Sequence, residues 1–158
     1  MDGHEKAQNA QKGSLQIIPI ESHGVTNLIK PRTDLSDAQV NQICDVIRET
    51  SFAIHRYFGS GFREKVYERA LVHRLSKAGI KVDAQPSVMI HDEDGTELIE
   101  EVMDLIIERA VIVEIKAIRE TSNADIAQLL GYLKATSFRH GLLINFGGPT
   151  FFIKKYVL

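Results

Sequence analysis

From Val40 onward the apolar residues keep two rhythms, and the switches between them divide the chain into helices and strands. Val40, Ile43, Ile47, Ser51, Ile54 and Phe58 recur at helical spacing, which predicts a long first helix with one buried stripe. Its start is marked by Ser36-Asp37-Ala38-Gln39, a capping box in which Ser36 meets an exposed amide and Gln39 returns a hydrogen bond. Gly59 permits a break, and residues 62–78 read as a second helix that packs Val66, Ala70, Leu71 and Leu75 against a sheet. Gly79 ends it.

The rhythm then becomes extended. Residues 80–85 and 87–90 read as strands, Asp92-Glu93-Asp94-Gly95 as a compact reversal, and Glu97-Leu98-Ile99 as a returning strand that continues toward Asp104. Residues 102–107 and 110–116 read as adjacent antiparallel strands joined at Glu108-Arg109. Neither joining residue is a favoured turn former, so the loop length stays open. Ser122 to Asp125 offers N-capping groups to a third helix that turns Ile126, Leu129, Leu130 and Leu133 inward. Residues 142–146 read as a buried strand and 151–158 as a terminal one. The predicted fold class is α/β, a mixed central sheet flanked by helices.

Length and composition narrow this further. The 158 residues suit a single domain with a sizeable core. Residues 1–35 read as an N-terminal arm, partly disordered, because Pro19 and Pro31 interrupt any regular element there, and residues 36–158 read as the domain. The patch Leu15-Gln16-Ile17-Ile18-Pro19-Ile20 is the candidate contact for a second subunit or a protein partner. No apolar run is long enough to cross a bilayer and no secretion signal is visible, so a cytoplasmic location is the default expectation. Cys44 is the single cysteine, which excludes an intramolecular disulfide, and the six histidines lack zinc-ligand spacing.

Candidate chemistry gathers at Asp104 and at Glu114-Ile115-Lys116. In an extended strand Glu114 and Lys116 share a face, and pairing with the preceding strand brings Asp104 opposite Glu114 or its neighbours. Two carboxylates so placed repel each other unless a divalent cation holds both as anions. Magnesium takes such hard oxygen ligands and keeps water that can attack a phosphodiester. Lys116 can stabilise the developing charge or handle the nucleophile's proton; spacing leaves both roles open. The same dyad is also common on solvated strand faces. Glu64 and Glu68 lie one helical turn apart, and spacing does not choose between them. The acidic stretch 92–101 reads as a solvated hairpin tip.

Gly61-Phe62-Arg63-Glu64-Lys65-Val66-Tyr67, Met103-Asp104, Val113-Glu114-Ile115-Lys116-Ala117, Ala127-Gln128-Leu129-Leu130-Gly131-Tyr132-Leu133 and Gly141-Leu142-Leu143-Ile144-Asn145-Phe146-Gly147 occur in that order. Together they resemble the GxxExxY family, a compact branch similar to the PD-(D/E)XK nuclease superfamily. The resemblance covers residues 40–158. It implies a restriction-endonuclease-like core of four central strands with an extra hairpin. It also implies a metal site of Glu64, Asp104, Glu114 and the carbonyl of Ile115, with Lys116 as catalytic lysine and Gln128 close to substrate. Tyr67 and Tyr132 are implied to support the site or to contact phosphate. Ser60 stands where the family often has Pro, and Val102 where a basic residue commonly accompanies the metal aspartate.

The implied activity is hydrolysis of DNA phosphodiesters with magnesium, manganese being the alternative ion and RNA the alternative polymer. A non-catalytic nucleic-acid or protein-binding module on a nuclease scaffold is the competing reading. The chain is slightly acidic, net −2, yet Arg56, Arg63, Lys65, Arg69, Arg74, Lys77 and Lys81 enrich the region before the acidic hairpin. Helical geometry scatters these around a cylinder, so position in sequence does not define one surface.

Overall fold

Residues 29–158 are described by a computed structural model. The expectations for residues 1–28, including the 15–20 patch, lie outside the described residues. Among the described residues, no helix is long and apolar enough to cross a membrane.

The first helix, α1, spans Asp37–Phe58 behind the Ser36–Gln39 capping box. The second, α2, spans Glu64–Lys77. Five short strands follow: β1 Val82–Ala84, β2 Ser87–His91, β3 Glu97–Val102, β4 Leu105–Ile107 and β5 Val111–Lys116. Helix α3, Asn123–Thr136, begins at a second capping box in which Ser122 and Asp125 exchange hydrogen bonds. Strands β6 His140–Asn145 and β7 Phe152–Val157 complete the chain.

The main sheet has five strands in the order β1-β4-β5-β6-β7, one more than the four expected. Residues 80–85 contribute the extra strand, with Val82 opposite Ile107 and Ala84 opposite Leu105. Only β5 and β6 are parallel, and the crossover between them carries α3. Alternation along β5 sends Val111, Val113 and Ile115 to the face covered by α1 and α2, where they pack with Ile47, Tyr67, Leu71 and Leu75. Ile112 points to the opposite face, with Leu129, Leu133 and Phe138. Covered on both faces, β5 and β6 are buried along nearly their whole lengths. Glu114 and Lys116 therefore project on the α3 side.

The strand read across residues 102–107 is broken. Strand β3 ends at Val102 and pairs with β2 in a separate two-stranded sheet, while β4 starts at Leu105. Met103 turns into the core beneath α3, where it is 2% exposed. Its amide donates to Pro86 O at 3.0 Å, and the amide of Gln85 donates to Asp104 O at 2.8 Å. The two chain passages thus run side by side between hairpin and sheet, and Gln85 makes the bend with φ of 53°. Alternation alone does not record such a bend, because a turned-in methionine keeps the same polarity pattern as a strand.

Glu108-Arg109 is a two-residue turn, closed by Ala110 N donating to Ile107 O at 2.9 Å. Both residues have φ near 50°, the conformation that twisted hairpins demand and that Asn-Gly usually supplies. Tertiary hydrogen bonds hold it. Glu108 exchanges backbone and side-chain bonds with Lys81 at 2.9 and 2.7 Å, and Arg109 Nε donates to Lys30 O at 2.9 Å.

Two glycines separate packing from propensity. A Cβ on Gly147 would stand 2.3 Å from the backbone of Ala117 and Ile118, whereas one on Gly131, within α3, would meet nothing within 4 Å. Gly147→Ala is expected to destabilise the protein by about 3 kcal/mol or more, since backbone must move, and Gly131→Ala to stabilise it by roughly 0.5–1 kcal/mol. Urea unfolding midpoints of the two variants check the opposite signs.

Candidate metal centre and active site

The centre forms where β4 and β5 part from the hairpin. Leu105 pairs with Val113, which sets Asp104 beside the Glu114-Ile115 step of the neighbouring strand. Asp104 Oδ2 accepts from Ile115 N at 2.6 Å. One carboxylate thereby acts as a rung of the ladder, and its other oxygen is left for chemistry. The side chains expected to converge, Asp104 and Glu114, do so.

Glu114 is buried, and its two oxygens are treated unequally. Oε1 accepts from Lys116 Nζ at 3.0 Å, while Oε2 is sealed from solvent with no hydrogen-bond partner. A buried carboxylate oxygen without a partner is costly. Burial, followed by the charge of Asp104, pushes the Glu114 carboxyl up to about 7 against the pull of Lys116. Asp104 is raised by burial and by Glu68, although the Ile115 amide draws it down.

Glu64 opens α2, where a carboxylate is ordinarily favoured by the helix amides. Its pKa is nonetheless raised, by burial first and then by Asp104, with Lys116 opposing. The helix delivers it to the same electrostatic neighbourhood. Glu68, one turn on, is 5% exposed and shares its oxygens between Lys65 at 2.7 Å and Gln85 Nε2 at 3.3 Å. Both acids of α2 therefore face the centre. Spacing had left that choice open.

Lys116 is held by three groups. Its Nζ donates to Glu114 Oε1 at 3.0 Å and to Gln128 Oε1 at 2.9 Å, and it stands 3.7 Å from Asp125. Burial alone would lower its pKa, but the hydrogen bond and charge of Glu114, with Glu64 and Asp125, raise it. The ammonium is therefore firmly charged at neutral pH. Gln128 Nε2 donates to Tyr132 Oη at 3.0 Å, and Tyr132 Oη donates onward to Val102 O at 3.3 Å. The Gln-x-x-x-Tyr spacing thus builds a chain from the lysine to the end of β3.

Tyr67, expected either to support the site or to contact phosphate, lies inside the packing. It is 0% exposed, its ring stacks on Phe146 at 4.5 Å, and its hydroxyl donates to Gly59 O and accepts from Phe62 N. It braces the entry to α2 and so places Glu64. Tyr132 is also buried, 4% exposed, and supports Gln128.

Asn145, which the sequence reading passed over, clamps the exit of β5. Its Oδ1 accepts from Ile118 N and Gly147 N, and its Nδ2 donates to Ile118 O at 2.8 Å. A lone amide residue inside the apolar run 142–146 was the available signal. Gln85 and Asp125 carried none beyond turn and cap chemistry.

Among the described residues, no three Asp, Glu, His or Cys side chains are gathered tightly enough to cage a metal ion. The two strand carboxylates nevertheless fit a hard divalent cation. Burial raises both pKa values, helped at Glu114 by the charge of Asp104 and at Asp104 by that of Glu68, and Glu114 Oε2 lacks a hydrogen-bond partner. The carbonyl of Ile115 belongs to the same turn of strand, and Glu64 lies at its rim.

The family model of the PD-(D/E)XK nuclease superfamily matches residues 41–155. Among solved structures, the crystal structure of SSO0001 is similar with 18% identity over 59% of this chain and a TM-score of 0.49. The chain spans 48% of that protein's length. An alkaline exonuclease from Laribacter hongkongensis is similar with 10% identity, covering 84% of this chain and 74% of its own, at a TM-score of 0.42. No curated protein matches the sequence.

The state of Glu114 has a measurable pH signature. Its folded value of about 7 exceeds the ordinary 4.5, so the native protein keeps a proton that the unfolded chain has already released. Metal-free stability should fall as pH rises from about 4.5 to about 7, by at most about 3 kcal/mol, and then level. Glu114→Gln should flatten that slope and be the more stable protein at pH 8. Magnesium should raise the melting temperature of the wild type and leave the variant unmoved, as followed by calorimetry.

Proposed function

This chain belongs to the PD-(D/E)XK nuclease superfamily, and we propose that it hydrolyses DNA phosphodiester bonds with the help of a divalent metal. Within the superfamily we assign it to the GxxExxY branch, on the motif from Gly61 to Tyr67 and its order with Asp104, Glu114-Ile115-Lys116 and Gln128. The observation that carries the activity is the unpartnered, buried Oε2 of Glu114 beside Asp104, with a fixed lysine at its other oxygen.

Asp104, Glu114 and the carbonyl of Ile115 would hold the cation, magnesium or alternatively manganese, with Glu64 available at the rim. A cation there supplies neutralisation of the carboxylates, an acidified water and electrostatic relief for the charge that builds on the scissile phosphate. The chain's own groups do the rest. Lys116, already charged in the resting protein, serves as a fixed cation toward the phosphate and not as the resting proton acceptor. Gln128 and Asp125 keep its Nζ from collapsing wholly onto Glu114. Tyr132 orients the Gln128 amide, so that the Gln128 oxygen faces the lysine. The Ile115 amide fixes one oxygen of Asp104 and leaves the other directed for ligation.

The competing reading is a non-catalytic nucleic-acid or protein-binding module. It is favoured by Val102, which exposes 55% of its surface where a basic residue would meet phosphate.

Purified protein is expected to cleave single-stranded, duplex or branched DNA in magnesium or manganese and to stop in EDTA. Asp104→Ala, Glu114→Ala and Lys116→Ala should each lower the rate at least about 10²-fold. Failure to cleave any member of a panel of DNA and RNA substrates, by a protein that still binds them without metal, would transfer the assignment to the binding module.

A further inference from the structure

Two grooves of opposite character border the proposed centre. On the α3 side, a cavity of about 690 Å³ runs between the hairpin and Ala124, Ala127, Gly131 and Ala135. Glu101 and Lys134 are the charged residues that line it, and the exposed hairpin beyond, between Asp92 and Val102, carries six carboxylates and no lysine or arginine. On the α2 side, a groove of about 470 Å³ is lined by Lys65, Arg69 and His73, with Glu68 and Gln85 at its floor.

We propose that the α2 groove binds the phosphate backbone of one nucleic-acid strand and leads it to the metal centre, with Arg69 and His73 meeting successive phosphates beyond the Lys65–Glu68 pair. The assignment rests on the nuclease reading above and adds the path of its substrate. Residues four apart advance about 6 Å along a helix, a step comparable to that between neighbouring phosphates of one strand. All three basic side chains belong to exposed residues.

Their partners distinguish them from the other basic residues nearby. Arg56 lies over the ring of Phe52 and Arg74 over that of Tyr57, which commits both guanidinium groups to aromatic surface. Among the described residues, Arg69 and His73 meet no carboxylate within ion-pair distance. Lys65 contacts Glu68 at 2.7 Å, which is the one acid facing this groove, and Gln85 caps the other oxygen of that acid. The floor is thus neutralised from within, and the outer groups remain free for a polyanion.

Gln85 also fixes where the groove ends. Its amide donates to Asp104 O at 2.8 Å while its side chain reaches Glu68. The groove therefore ends at the Lys65–Glu68–Gln85 cluster, which touches the metal aspartate. Screening confines charge effects to about 8–10 Å in physiological salt, so this local sign matters more than the chain's net −2. The larger α3 groove offers no such run of basic side chains, its charged lining being Glu101 and Lys134.

Binding of a fluorescein-labelled single-stranded DNA oligonucleotide to the full chain in EDTA, titrated with NaCl, tests the path. Arg69→Ala combined with His73→Ala should weaken binding at least about tenfold and reduce the slope of log K against log salt by about one. Arg48→Ala, on the exposed surface of α1, should change neither. Asp104→Asn should abolish cleavage and leave affinity and slope intact.

If the wild type cleaves DNA and the α2 double variant keeps its affinity and slope, the nuclease reading stands and this path is wrong. If nothing is cleaved but the double variant loses affinity, the path stands without the nuclease. A gain in slope from Glu97→Lys with Glu100→Lys, matched by no loss from the α2 variant, would place the strand along α3 and overturn the proposal. So would a wild-type protein that binds no oligonucleotide.

Discussion

The centre depends on a single hydrogen bond, from the amide of Ile115 to the carboxylate of Asp104. It substitutes a side chain for a main-chain rung at the point where β4 leaves the hairpin, and so fixes Asp104 to the strand that carries Glu114 and Lys116. Without it, burial would leave the Asp104 carboxylate raised in pKa with no compensating donor. The same bond ties the amide of Ile115, so that residue's carbonyl has a defined direction along the strand. Structural pairing and chemical preparation are here one contact.

Around that contact the protein tolerates an electrostatic conflict. Glu64, Asp104 and Glu114 are each pushed toward protonation by burial first and then by a neighbouring carboxylate, which is Asp104 for Glu64 and Glu114 and Glu68 for Asp104, and Lys116 answers only part of the charge. Such a site costs folding stability, and natural chains concentrate that cost at functional positions. The surrounding core is well suited to carry it. Large apolar residues cover both faces of β5, and Tyr67 on Phe146 ties α2 to the strand next to it.

Much of this was legible in the residues because it is local. Both capping boxes, at Ser36 and Ser122, name their helix starts, and the apolar stripe from Val40 to Phe58 names the buried side. Period-two alternation around a short connection brings Asp104 to Glu114. The remainder lies in contacts between distant segments. Asn145 grips Ile118 from 27 positions away, and Gln85 reaches both Glu68 and Asp104 through a bend made by its own positive φ. The motif left Tyr67 two roles, support or phosphate contact, because a motif records identity and not direction; its hydroxyl bonds lie within the α1–α2 connection. The Glu108-Arg109 turn was obscure for a similar reason, since its left-handed pair is imposed by Lys30 and Lys81, outside any local window.

The hairpin β2–β3 forms its own two-stranded sheet and joins the five-stranded one through paired passages at Gln85-Pro86 and Met103-Asp104. Its stem is pinned beside Asp104, but its tip at Asp92 to Gly95 is solvent-facing and shares no ladder with the core. Length and charge at that tip can drift through evolution without disturbing the Asp104 register. The fold thereby holds a module open to diversification beside a fixed catalytic frame.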